Sequence, residues 1–171
     1  DVLRGILRLP DPLDANRRML EALRDGVPVV LASNQDTTQV KLIEFDSDRQ
    51  HLNDFTVTNQ YRVRGSETVK ADTVLLVNGI PVVLAEYKSY VNSGHDWTEG
   101  VNQLHRYQRE APALLVPNVF SVSADEQEFR YGPVAYQINS QKDIDLQRDA
   151  WRPWLSQYPV RRLYWTMPPA E

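Results

Sequence analysis

The stretch Ala71-Asp72-Thr73-Val74-Leu75-Leu76-Val77-Asn78-Gly79-Ile80-Pro81-Val82-Val83-Leu84-Ala85-Glu86-Tyr87-Lys88 decides the architecture. Asp72 to Val77 and Val82 to Lys88 are the most hydrophobic strand-like runs in the chain. Between them, Asn78-Gly79-Ile80-Pro81 contains the Asn-Gly pair that suits the left-handed backbone of a tight hairpin turn. Apolar residues occupy both faces of each run, the pattern of central strands covered on both sides. Charge is confined to the ends: Asp72 heads the first run, and Glu86-Tyr87-Lys88 closes the second.

Those end positions constrain the hairpin. Opposite residues of an antiparallel pair share a sheet face. If Asp72 stands opposite Glu86, Leu76 faces Val82 and Val77 faces Pro81, leaving Asn78-Gly79-Ile80 as a three-residue loop. A two-residue Asn-Gly turn pairs Val77 with Ile80 instead, and that one-residue slip puts the carboxylates on opposite faces. A shared site therefore requires the longer loop or a compensating bulge. The first register also sets Lys70 opposite Lys88, an unfavourable pair, so the ladder is expected to end or splay near Asp72.

Upstream of the hairpin, Phe55, Val57, Asn59, Tyr61 and Val63 alternate with polar residues up to Gly65, a strand with one face inward. Asp11-Pro12 caps a helix over 12–25 that Gly26 stops. Val27 to Leu31 and Val40 to Phe45 form two short strands. Downstream, Trp97, Val101, Leu104 and Ala111 share one helical face, opposite Asn102, His105, Arg106 and Arg109, until Pro112 ends the helix. Phe120 to Ser123 and Glu128 to Tyr131 add two strands. Asp145 to Gln157 reads as a helix interrupted by Pro153, and Trp165 lies in a final extended piece. The order gives an α/β fold: a mixed β-sheet with a central hairpin, flanked by helices.

A chain of 171 residues fits a single domain spanning 1–171, and its start at Asp1 suggests a piece of a longer polypeptide. With 19 Lys plus Arg against 23 Asp plus Glu, the net charge of −4 argues against a dedicated basic module held on nucleic acid chiefly by its own phosphate contacts, though not against a local basic patch. The absence of cysteine removes disulfides, thiolate zinc sites and cysteine nucleophiles and agrees with a cytoplasmic location. No apolar run approaches the roughly 18 residues of a membrane span, so no membrane association is expected. No Gly-Lys-Ser/Thr, dinucleotide fingerprint or Gly-x-Ser-x-Gly occurs, and His51, His95 and His105 have no metal-binding spacing and read as surface residues.

What remains is the carboxylate pair. Glu86 and Lys88, two apart, point to one face and Tyr87 to the other. Two carboxylates and a lysine at the ends of buried strands suit a Mg²⁺ site for phosphodiester hydrolysis: the carboxylates supply hard oxygen ligands, and the lysine serves the attacking water or the transition state. The bland alternative is an ion pair where strands emerge into solvent. Arg62 and Arg64 share a strand face near Lys70 and form a candidate phosphate path. Gln103 and Tyr107, at i and i+4, sit at the edge of the helix's apolar stripe. Glu21 faces nearly opposite Met19 and Ala22, which favours a solvated position.

The same central stretch, together with Asn59-Gln60-Tyr61, Arg64-Gly65, Ala15-Asn16-Arg17, Gly26-Val27 and Asn102-Gln103-Leu104-His105-Arg106-Tyr107, resembles the N-terminal nuclease domain of the R subunit of type I restriction enzymes, in the PD-(D/E)xK nuclease superfamily. The resemblance covers residues 12 to about 135. Ala71 stands where that family usually has proline, and Tyr87 where leucine is common; neither replaces a ligand. The resemblance implies a restriction-endonuclease-like fold and a Mg²⁺-dependent endonuclease with Asp72, Glu86 and Lys88 as its catalytic set. The metal would be held by Asp72, Glu86 and the Tyr87 carbonyl. Gln103 and Tyr107 would position DNA and couple cleavage to the motor. The implied partners are double-stranded DNA and the modification and specificity subunits, with ATP used only by a motor outside this chain. Two rivals stay open: a stand-alone repair or recombination nuclease of the same superfamily, and a non-catalytic DNA-binding or docking module.

Overall fold

The computed structural model describes residues 2–31, 36–89, 96–133 and 150–153. Two helices open it, α1 (Val2–Leu7) and α2 (Pro12–Asp25). The Asp11 carboxylate accepts a hydrogen bond from the Leu13 N–H at 2.9 Å, Pro12 fills the first turn where no N–H is needed, and Gly26 takes φ 84° at the end. Ala15, Met19, Ala22 and Leu23 form the buried stripe of α2. β1 (Val27–Val30) and β2 (Thr37–Val40) make a separate antiparallel pair.

The second of these strands lies earlier than the expected Val40 to Phe45. Pairing of Val27 with Val40 uses up the ladder before Leu42. Ile43 then turns into the core beside α2, and the Asn78 Nδ2 donates to the Leu42 carbonyl at 2.8 Å, so backbone satisfaction comes from a distant turn rather than from a strand.

The main sheet runs β3 (Phe55–Arg64), β4 (Thr68–Val77), β5 (Ile80–Tyr87), β6 (Phe120–Ala124), β7 (Phe129–Gly132), β8 (Arg152–Pro153), in spatial as in chain order. Every neighbouring pair is antiparallel except β5–β6. That parallel pair needs a crossover, supplied by α3 (Trp97–Glu110) and α4 (Pro112–Leu115). One core lies between the sheet and α3, built from Val69, Ala71, Val74, Leu84, Val101 and Leu104 among others. A second lies on the opposite face under α2, with Met19, Leu23, Val82, Val83, Ala85 and Val122. A mixed sheet flanked by helices is the arrangement expected from the sequence and that of a restriction-endonuclease-like fold. No helix among the described residues is long and apolar enough to cross a membrane.

Four expectations change. β3 is an edge strand, and its inward face exists only in part: Phe55 and Val57 are 66% and 67% exposed, while Tyr61 and Val63 reach the core. β4 begins at Thr68, so Asp72 lies within the strand rather than at its head. His105 is buried, not on an exposed face of α3, because α3 is covered over a wider arc than its apolar stripe. Of the helix expected over Asp145 to Gln157, the described residues Ala150 to Pro153 form a turn and β8, with Trp151 buried against Gly132. The rest of that segment, Trp154, the piece carrying Trp165, and His95 lie outside the described residues.

The central hairpin resolves the register conflict. Asn78 and Gly79 take φ 53° and 77°, and Val77 pairs with Ile80 across a two-residue turn. The register then shifts between Leu75 and Leu76, leaving Val82 unopposed, so that beyond it Thr73 faces Ala85. The bulge turns both Val82 and Val83 toward α2 and Leu84 toward α3.

Gly100 lets α3 lie close against this sheet: a Cβ there would stand 2.1 Å from Ser123 Oγ and 3.4 Å from the Glu86 Cβ. Helix propensity favours alanine over glycine by about 1 kcal/mol, but overpacking at such a distance outweighs it. Gly100→Ala is expected to destabilise the protein by a net ~1–3 kcal/mol, read as a lowered urea midpoint, with part of the loss recovered when Ser123→Gly is added. A Gly100→Ala protein as stable as the wild type would contradict this packing.

Candidate active site

The β4–β5 ladder ends at Thr73 and Ala85, and the next two positions are Asp72 and Glu86. Because the bulge restores the register, these residues meet. The Asp72 N–H donates to Glu86 Oε1 at 3.3 Å, and the Tyr87 N–H donates to Asp72 Oδ2 at 3.0 Å. The N–H and C=O of one strand residue point to the same side, so the Tyr87 carbonyl also faces β4; its ring is exposed.

Glu86 is fully buried, with Gly100 of α3 packed over it. Its Oε1 has the Asp72 N–H, whereas Oε2 makes no hydrogen bond and lies 3.9 Å from Lys88 Nζ. Burial pushes the Glu86 carboxyl up to about 7, and the neighbouring charge of Asp72 adds to the rise; Lys88, the Asp72 N–H and the Tyr107 hydroxyl oppose it without cancelling it. A buried carboxylate oxygen without a donor, beside a second carboxylate, is a donor set suited to a hard divalent cation. Among the described residues no group of three or more His, Asp or Glu side chains converges. The Tyr87 carbonyl and water would therefore complete the shell, as Mg²⁺ with its retained waters tolerates.

Lys88 follows β5, anchored by its N–H to the Ala124 carbonyl at 2.8 Å, and its side chain is largely buried. Its Nζ donates to Gln103 Oε1. The Gln103 Nε2 donates to the Tyr107 hydroxyl at 2.5 Å, which donates in turn to the Lys70 carbonyl at 2.6 Å. Burial pushes the Tyr107 hydroxyl up to about 12, so it remains a donor. Tyr107 is thus deeper than the stripe edge where its spacing put it. The pair Gln103 and Tyr107 forms a hydrogen-bonded strut from the lysine to the backbone of β4.

Arg62 stands opposite Lys70, and Arg64 opposite Thr68, on the β3–β4 arm. All three cations are exposed, and they alternate with Tyr61, Val63, Val69 and Ala71, which pack toward α3, so they share the other face. Lys70 does not oppose Lys88, because the β4–β5 ladder has already ended. Glu21 is exposed and paired with Arg17 at 2.9 Å, away from the site. One contributor was not among the expected site residues: Gln60, which entered only as part of the Asn59-Gln60-Tyr61 resemblance and whose Nε2 donates to Asp72 Oδ1 at 3.1 Å. Its alternating strand carries no sign of this contact, and only the β3–β4 register brings it to Asp72.

The family profile described as type I restriction enzyme R protein N terminus matches residues 1–139. The chain is 29% identical over 143 residues to the type I restriction enzyme HindI endonuclease subunit of Haemophilus influenzae, covering 81% of this chain and 12% of that protein. It is 28% identical over 100 residues to the putative type I restriction enzyme MjaVIIIP endonuclease subunit of Methanocaldococcus jannaschii, covering 57% of this chain and 10% of the relative. It is 34% identical over 88 residues to the SauMSSORF170P endonuclease subunit of Staphylococcus aureus, covering 52% and 9%. The chain spans about a tenth of the length of these relatives.

The raised Glu86 carboxyl links pH to stability. An unfolded glutamate releases its proton near 4.5, whereas the folded chain holds it up to about 7. Between those values the folded state binds more protons, so the Glu86 contribution is present below about pH 4.5 and is lost as pH rises through 7. The loss is of order 3 kcal/mol. In urea titrations with EDTA, the stability of wild type minus that of Glu86→Gln is expected to fall across this window. A difference that stays flat or rises would show that Glu86 is not held protonated.

Proposed function

Since this chain belongs to the family of type I restriction enzyme R protein N termini, we propose that it is the Mg²⁺-dependent PD-(D/E)xK endonuclease module of a type I restriction-modification enzyme, hydrolysing DNA phosphodiester bonds. The observation that carries the reading is the interlocked Asp72–Glu86 pair, whose buried Glu86 Oε2 lacks a donor beside Lys88. A carboxylate in a structural ion pair at a sheet end would have both oxygens satisfied and face solvent; that of Glu86 does neither.

Asp72, Glu86 and the Tyr87 carbonyl would hold the cation. When bound, it would neutralise the carboxylates, lower the pKa of a water molecule and stabilise charge on the phosphoryl group. The chain supplies orientation. The Tyr87 N–H and Gln60 amide aim the Asp72 carboxylate, and the Asp72 N–H aims that of Glu86. The Lys88 ammonium, braced by Gln103 and through it by Tyr107, would stabilise the negative charge that builds on the phosphoryl oxygens as water attacks and the bond to the leaving oxygen breaks. Gln103 and Tyr107 thereby act on DNA through Lys88 rather than by touching it.

Arg62, Arg64 and Lys70 would steer phosphates toward Asp72 from the open arm. At a net charge of −4 these three contacts hold a duplex weakly, so grip and site selection would come from the partners: an ATP-driven motor in the same subunit and the modification and specificity subunits. The module would act in the cytoplasm.

In the assembled enzyme, Asp72→Asn, Glu86→Gln and Lys88→Ala are each expected to lower DNA cleavage by about 10³-fold or more, since several kcal/mol of transition-state stabilisation are lost at a tenfold per 1.36 kcal/mol. DNA-stimulated ATP hydrolysis should persist. Wild-type cleavage by any one variant would overturn the catalytic assignment, and a wild type that cleaves without divalent cation would overturn the metal's role.

A further inference from the structure

Gln60 is the one interior strand residue among those described that is held in the left-handed region without being glycine, at φ 56°. The other non-glycine residue there, Asn78, has an evident reason, since it makes the hairpin turn. Gln60 has no turn to make. The β3–β4 ladder pairs Asn59 with Thr73 and Tyr61 with Ala71, and skips the pair between them, Gln60 and Asp72. A left-handed conformation costs an L-residue with a long side chain roughly 1–2 kcal/mol, and a mid-strand position offers nothing in return. Strain of this kind persists where the surroundings impose it and concentrates where function uses it.

Two structural consequences follow at this point. The first is a change of face. On the far side of Gln60, Tyr61 and Val63 with Ala71 and Val69 pack toward α3; on the near side it is Val74 and Leu76 that do so, while Val57 and Leu75 are exposed. The buried parity of β4 thus switches between Ala71 and Val74, which turns Asp72 out of simple alternation. The second is a contact: the Gln60 amide Nε2 donates to Asp72 Oδ1 at 3.1 Å, complementing the Tyr87 N–H on Oδ2 at 3.0 Å. The two carboxylate oxygens are then held by donors from two different strands.

We propose that Gln60 is a positioning residue for metal binding: its strained backbone and its amide together fix the orientation of the Asp72 carboxylate in which that group can share a divalent cation with Glu86. The proposal rests on the reading of Asp72 as a metal ligand. Groups that orient a ligand are worth roughly 10–100-fold in metal affinity when removed, and the exposure of Gln60 places it at the lower end.

The test is Mn²⁺ titration calorimetry on the intact protein, comparing wild type, Asp72→Asn, Gln60→Ala and Gln60→Gly, together with hydrogen exchange of the β3 and β4 amides in EDTA. Asp72→Asn defines the component of Mn²⁺ binding that belongs to this site. Both Gln60 variants are expected to weaken that component about tenfold. Their stabilities should diverge. Gln60→Gly relieves the positive φ and should slow exchange in β3 and β4 by about threefold, whereas Gln60→Ala keeps the strain and should not. A residue that merely supported the strand would lose protection and affinity together in both variants. Wild-type Mn²⁺ affinity in either variant, or faster exchange in Gln60→Gly, overturns the assignment of Gln60 while leaving the metal site standing. Absence of any Asp72-dependent Mn²⁺ binding overturns the metal site and the role of Gln60 with it.

Discussion

The one-residue bulge at Val82 is the constraint on which the site depends. An Asn-Gly turn closes most readily with two residues in the left-handed region, and that turn alone would send Asp72 and Glu86 to opposite faces of the sheet. Side chains alternate with a period of two, so no small adjustment corrects such an error; only an added residue does. Leaving Val82 unopposed restores the pairing of Thr73 with Ala85 and brings the next two residues together. The same extra residue turns two consecutive valines toward α2, so the bulge is held in place by burial on the face away from the chemistry. Core packing under one helix thus sets the geometry of a site under the other.

Bringing the carboxylates together is electrostatically costly. Glu86 is removed from water beneath Gly100 and stands beside a second carboxylate, and its raised pKa expresses both penalties. The surroundings offset them only in part: one backbone N–H, a lysine at 3.9 Å and a nearby hydroxyl. The proposed cation would make up this shortfall of positive charge, and burial would strengthen its attraction to the carboxylates. Lys88 could have closed on Glu86 and abolished this deficit. Its bond to Gln103, which is itself held by Tyr107, keeps the ammonium back.

The surrounding elements give this centre a rigid frame on one side and an open one on the other. β5 and β6 are parallel and buried, with α3 lying close enough on them that Gly100 admits no side chain. The β3–β4 arm extends past the end of the β5 ladder and carries Arg62, Arg64 and Lys70 on an uncovered face. In the proposed nuclease, DNA would approach over this arm without disturbing the core, while Glu86 stays fixed to a buried strand.

Much of this was legible in the sequence because it rests on local patterns. The hairpin follows from Asn78-Gly79 between two apolar runs, α2 from Asp11-Pro12 and Gly26, and α3 from the spacing of Val101 and Leu104; charges bounding two apolar runs, Asp72 before one and Glu86 and Lys88 after the other, marked the candidate site, although β4 itself extends past Asp72 to Thr68. The alternation of side chains even showed that a tight turn would demand a bulge. It could not say which residue would bulge, because Val82 and Val83 suit a strand equally and both pack under α2; only the pairing of Leu75 with Val83 leaves Val82 as the extra residue. Tertiary structure also decided the positions that periodicity misjudged. His105 is polar yet buried because α3 is covered over a broad arc, Phe55 and Val57 are apolar yet exposed because β3 is an edge, and β2 ends at Val40 because Leu42 and Ile43 are held by a turn and a core far along the chain. Gln60 reaches Asp72 only through the pairing of two strands. Local sequence specifies what each segment can form; which side chains meet is set by register and packing between segments, whose energies depend on residues distant in the chain.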